Sequence, residues 1–298
     1  VIVDIYFYGG WLKAYLPSDI IGEISQILIF RIIFGQVHVI ASFITLMDKE
    51  YLLTYRKKLF IIAVIAVAVA IWMYFGEAMA FAFILLLRNY HMVLQTVGLS
   101  TPLLKYHSPY FEKWKWSVML YHTLLTIVFF EIYFKFISVP FANNLLLPSL
   151  IISIYYSYKV SKNSKTRIGR FYVIGNQFAL FTSFLLLRAD YGLLLILLDS
   201  IIHQLPAFMC YFTHDYNRNL NKNHNFLYRL FFTNAKFGIP LRLAIPTSAL
   251  LITCLYHEYL RTIPWVLQLM LMANVAHYLI EGVIWRNGTP HRKHLSFG

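Results

Sequence analysis

Leu59–Phe75 reads LFIIAVIAVAVAIWMYF, and after Gly76-Glu77 the chain continues as AMAFAFILLLRNYHMVLQTVG over Ala78–Gly98. The first run holds no charged residue and is nearly long enough, as a helix, to cross a hydrocarbon core of roughly 30 Å. A helix satisfies its own backbone hydrogen bonds there, whereas a spanning barrel would show apolar and polar residues in alternation. No such alternation is present. Working outward, similar runs recur along the chain, which is 59% hydrophobic and only 13% charged, with a mean hydropathy of +0.60. The expected class is an all-α, polytopic transmembrane helical bundle, read as one integral membrane domain over residues 1–298.

Nine spans are expected, at about 21–47, 59–75, 77–98, 116–135, 139–158, 171–188, 191–213, 239–260 and 265–285. The polar turns at Phe75-Gly76-Glu77 and Arg188-Ala189-Asp190 divide two long apolar stretches into pairs; without them the count falls to seven. The formal charge of +13 is carried in short loops between apolar runs, not in a basic stripe, so it reads as a topology signal and not as a nucleic-acid surface. Nine spans place about 21 Lys and Arg residues on one side, including Arg56-Lys57-Lys58, the run from Lys159 to Arg170 and the tail, and about four on the other. That asymmetry implies an outside amino terminus and a cytosolic carboxyl terminus, as in a bacterial inner membrane. No cleavable leader with a basic start is visible, so the internal spans are expected to direct insertion. Cys210 and Cys254 both fall in apolar runs and form no metal or disulfide pattern.

Ionisable residues inside spans are costly and call for a function. They are Arg31, His38, His91, His122, Asp199, His203, His277 and Glu281. Counted from the cytosolic helix ends, the five histidines lie roughly 9 to 15 Å deep. Imidazoles from separate helices thus share one level, which predicts a convergent metal site. His277 with Glu281, Asp199 with His203, and His91 with Gln95 are each four apart and share a helix face. A carboxylate one turn from an imidazole can bind the same metal or fix the tautomer of the ligand. His214 and Asp215 add a further candidate ligand and a candidate catalytic acid, although eleven residues from His203 correspond to about 16 Å on an unbroken helix, so only a break near Pro206 would bring them in. A single membrane histidine is more often hydrogen-bonded to a neighbouring helix. His122, with no acid beside it, keeps that ordinary reading; His107, His224, His291 and His294 read as solvated or headgroup-facing.

The segment Ala276-His277-Tyr278-Leu279-Ile280-Glu281-Gly282-Val283-Ile284-Trp285-Arg286, with the histidine in Gly35-Gln36-Val37-His38 and His91 and His203 in the same order, resembles the bacterial Brp-like β-carotene dioxygenases. The Gly-Ala-Leu-Asp run that follows the early histidine in that family does not occur here. The resemblance implies a polytopic protein whose helix histidines hold iron and whose reaction uses O2 on an isoprenoid. From the residues and the resemblance together, the leading expectation is a non-haem iron oxygenase or oxidase acting on a hydrophobic lipid or isoprenoid from the bilayer. His38, His91, His203, His214 and His277 would be metal ligands, with Glu281 and Asp215 as catalytic or orienting carboxylates. Zinc would bind the same groups and imply hydrolysis, two facing histidines would suit haem, and buried acids with histidines would also serve a proton-coupled transporter.

Overall fold

The computed structural model describes residues 37–106, 108–134, 139–219, 224–225, 244–256, 259, 263–286 and 288–295. Arg31, His107 and the pair His257 and Glu258 lie outside the described residues, as does the start of the first expected span. The helices are α1 (Val37–Leu46), α2 (Lys49–Phe75), α3 (Glu77–Leu104), α4 (Phe111–Phe134), α5 (Pro140–Lys162), α6 (Arg167–Arg188), α7 (Gly192–Asn219), α8 (Ala244–Leu255), α9 (Pro264–Ile284) and the short α10 (Pro290–Lys293). Among the described residues there is no strand, only the isolated bridge Asp48–Asn225. The class is therefore all-α.

The two turns fall where the charged dipeptides predict. Gly76 ends α2, its N–H donating to the Trp72 carbonyl, and Asp190 between α6 and α7 takes a left-handed φ of 60°. At the basic side the helices run further than hydropathy predicts. Asp48 accepts a hydrogen bond from the Glu50 N–H at 2.8 Å, so α2 starts at Lys49 and carries Arg56-Lys57-Lys58 as helix, not loop. Long cationic side chains keep their heads exposed while the backbone stays helical. Among the described residues, two helical stretches, Phe111–Tyr133 and Arg167–Arg188, are long and apolar enough to cross a membrane.

The described chain divides into two compact units. One contains Met92–His203, in which α5 packs against both α4 and α6. Its core is built from Trp114, Val118, Tyr121 and Val128 of α4, Leu146 and Leu150 of α5, and Val173, Leu180 and Leu187 of α6. The buried face of α5 is a ladder of small polar residues, Ser149, Ser153, Ser157 and Ser161, while Phe141, Leu145, Ile151, Ile154, Tyr155 and Tyr158 are exposed. Small residues let helix backbones approach closely, and three of the hydroxyls bond back into their own helix. The start of α6 is pinned to the end of α3: the Thr166 hydroxyl donates to the Leu103 carbonyl and accepts from Gly169 N–H at 2.9 Å, and Lys165 N–H donates to the Leu104 carbonyl at 3.1 Å.

The other unit holds the described parts of Ile29–His91 and Gln204–Gly298. Here α9 packs against α1 and α2, and α8 packs against α1. Val37, Ala41, Ile44, Tyr51, Ile62, Tyr211, Ile280 and Ile284 form one core cluster, and Ala66, Val69, Ile84 and Val275 another. Because α9 lies against α1, a residue on its inner face meets the first turns of α1. His277 is that residue.

Candidate metal centre

His38 lies in the first turn of α1, His91 at the middle of α3 and His277 in the second half of α9; all three are buried. The His277 ring meets His38 edge to face at 4.7 Å between centroids, and His91 at 4.9 Å. His203 of α7, also buried, completes the set: one potential ligand atom from each of His38, His91, His203 and His277 lies within 4.8 Å of the others. Two nitrogens bound on opposite sides of one first-row metal stand about 4.2 Å apart, so the four imidazoles need only close by a few tenths of an ångström to share an ion.

The tautomer of His277 follows from its neighbours. Ser42 Oγ sits 2.6 Å from the Val39 carbonyl and gives its single proton to it. The same oxygen lies 3.0 Å from His277 Nδ1 and can therefore only accept there, so Nδ1 carries the ring proton. The lone pair is left on Nε2, which is buried and has no hydrogen-bond partner. An unprotonated, desolvated imidazole nitrogen inside a cluster of imidazoles is what a transition-metal ligand looks like before the ion is added. Buried polar atoms are otherwise almost always paired.

Glu281 lies one turn beyond His277 on α9. Oε1 accepts the Tyr211 hydroxyl, and Oε2 stands 3.5 Å from His91 Nε2. Its place is beside a candidate ligand. Asp199 and His122 line a small cleft of about 20 Å3 whose wall includes His203. His122, read from the sequence as an ordinary helix contact, is thus at this cleft.

His214 and Asp215 do not join the four. Helix α7 continues through Pro206, so the break that would bring His214 to His203 is not made. The Asp215 carboxylate instead accepts from His214 Nδ1 at 2.6 Å, and His214 Nε2 lies 2.9 Å from the Tyr51 hydroxyl, which donates to it. The His291 ring stacks on His214 at 4.8 Å and packs on Tyr51 at 3.8 Å, with its Nδ1 3.2 Å from the Tyr55 hydroxyl. Arg218 covers Tyr51 and pairs with Asp48 at 3.2 Å. This second cluster ties α2, α7 and the tail together. Burial, then the neighbouring His214, His294 and Arg218, push the His291 pKa down to about 2, so the ring is neutral.

His291 corrects the sequence reading, which took it as solvated or headgroup-facing; it is fully buried. The signal was present in Thr289-Pro290, a helix cap followed by proline at the first helical position, where the Thr289 hydroxyl accepts from Arg292 N–H. Tyr51 and Tyr55, four apart on α2, were also missed, because hydropathy treats their stretch as loop. No family model matches the chain, and no curated protein or solved structure matches it either.

Proposed function

We propose that this chain is a membrane-embedded, histidine-ligated metal enzyme, a non-haem iron oxygenase or oxidase acting on a hydrophobic lipid or isoprenoid substrate. The observation that carries the reading is the buried group His38, His91, His203 and His277, with the ligand tautomer of His277 set by Ser42. Four neutral imidazoles without thiolate suit iron, leave two positions of an octahedron open, and are also acceptable to zinc. Bound Fe(II) would supply the capacity to activate O2. Around it, Ser42 orients His277 through Nδ1, and the Glu281 carboxylate, which accepts the Tyr211 hydroxyl, stands beside His91. Haem fits less well, because with two of the imidazoles as axial ligands the other two, within 4.8 Å of them, would stand where the macrocycle has to lie.

Membrane residence is supported by side chains that face outward. Phe60, Ile61, Val64, Ile71, Phe75 and Met79 along α2 and α3, and Phe171, Ile174 and Phe178 on α6, are exposed, far more apolar surface than a water-soluble monomer leaves uncovered. With the basic loops on one side, the nine-span topology in a bacterial inner membrane, with the metal near the cytosolic face, is the arrangement we favour. Metal analysis of the purified protein tests the enzyme reading. Close to one iron per chain, lost in both His91→Ala and His277→Ala, is expected. Protein that takes up neither iron nor zinc after loading would sink it.

A further inference from the structure

We propose that Tyr51 is a redox-active tyrosine: when a one-electron oxidant takes an electron from it, its phenolic proton passes to His214 Nε2, and Asp215 holds the charge that develops on the imidazole. The inference deepens the oxygenase reading by naming an electron source for the oxygen-activating metal centre, and rests on that reading for the identity of the oxidant alone.

Tyr51 stands in the first turn of α2, and His214 and Asp215 near the end of α7. Asp215 Oδ1 accepts from His214 Nδ1 at 2.6 Å, which leaves the Nε2 lone pair for the Tyr51 hydroxyl, 2.9 Å away. Removing an electron from a phenol makes its hydroxyl a strong acid, so a base already hydrogen-bonded to it lets electron and proton leave together and eases the oxidation. The O–H bond of Tyr51 breaks, an N–H bond forms at His214 Nε2, and the oxidant gains one electron. A neutral phenoxyl then faces an imidazolium paired with Asp215, and a one-electron reductant of the flavin or iron–sulfur class reverses both moves. Burial pushes the Tyr51 pKa up, so the phenol keeps its proton until the electron goes. Arg218, 5.0 Å over the ring, is itself paired with Asp48 and Glu50, which offsets its charge beside the site.

Burial selects electron transfer over chemistry on a bound molecule. Tyr51 is 0% exposed and His214 1%, so no substrate reaches the phenolic oxygen, whereas an electron needs only closely spaced rings. Such rings lead from Tyr51 toward the candidate metal ligands. The His214 ring lies 5.8 Å from Trp285, and Trp285 lies 5.4 Å from Tyr211, whose hydroxyl donates to Glu281; the Glu281 carboxylate stands 3.5 Å from His91. All of these residues belong to the unit built from Ile29–His91 and Gln204–Gly298. Tyr55 is the natural comparison. Its hydroxyl lies 3.2 Å from His291 Nδ1, but His291 Nε2 is buried with no hydrogen-bond partner, so no carboxylate holds the charge that a proton would bring to that imidazole.

Oxidation of chelator-treated, metal-free protein in detergent with hexachloroiridate(IV), followed by freezing and electron paramagnetic resonance, is the test. A tyrosyl signal that outlasts those of exposed tyrosines is expected, with hyperfine coupling to a nitrogen of isotope-labelled histidine. The signal should be lost in Tyr51→Phe and in His214→Gln, and retained in Tyr55→Phe. Absence of a lasting tyrosyl signal overturns the proposal, as does a signal without imidazole coupling or one that survives Tyr51→Phe. A signal lost in Tyr55→Phe overturns it as well. If Tyr51→Phe does not fold, the coupling in the unmodified protein and the Tyr55→Phe result decide. Because the metal has been removed, failure here and failure of the metal reading are separate results.

Discussion

Ser42 and His277 make the case at the level of single residues. The hydroxyl that bonds both the Val39 carbonyl and His277 Nδ1 holds the ring in one tautomer and one orientation. Removing such a partner of a ligating histidine typically costs about 10–100-fold in metal affinity. Ser42→Ala is therefore expected to keep its fold but to lose metal to a chelator at a concentration roughly tenfold lower than the unmodified protein does; an unchanged competition curve would mean that Ser42 does not orient a ligand. His291 supplies a pH prediction. Its pKa in the folded protein is lowered to about 2, mainly by burial, against 6.5 when unfolded, so the unfolded chain takes up a proton that the folded chain refuses. The stabilisation is complete above about pH 6.5 and is lost as pH falls toward 2. By pH 5 the loss is about 2 kcal/mol from this group. The unfolding midpoint should drop between pH 7.5 and 5, and His291→Phe should flatten that dependence.

At the scale of elements, α9 shows both what sequence can deliver and where it stops. His277, Glu281 and Trp285 recur every four residues, so their shared face is legible from spacing alone. What Glu281 faces is not, because that depends on Tyr211 of α7 arriving from a distant part of the chain. The same holds for His214: spacing along α7 tells how far it lies from His203, but whether Pro206 breaks the helix is a tertiary matter. The serine ladder of α5 is visible at four-residue spacing, yet hydropathy averages over it. Gly169 is another tertiary requirement. A Cβ there would stand 2.5 Å from the Leu103 carbonyl oxygen, a backbone atom with no freedom to retreat. Gly169→Ala should lower stability by about 1–3 kcal/mol, the usual range for overpacking. A melting temperature equal to that of the unmodified protein would show that α3 and α6 do not meet so closely.

For the whole molecule, composition and loop charge pointed to a helical membrane protein, and the depth argument grouped histidines that the fold does bring together. Depth alone could not separate His122 from the four or predict the second cluster, since a common level says nothing about direction around each helix. The proposed topology is open to a direct check. In a variant lacking Cys210 and Cys254, a membrane-impermeant maleimide should label Arg188→Cys in intact cells, and Asn163→Cys only after the membrane is opened. Labelling of both from outside would contradict the arrangement. The central claim concerns the four imidazoles, and X-ray absorption at the iron edge of the loaded protein tests it most directly. A shell of four nitrogens at about 2.1 Å with the multiple scattering of imidazole rings is predicted; a shell of oxygen or sulfur without that scattering would contradict it.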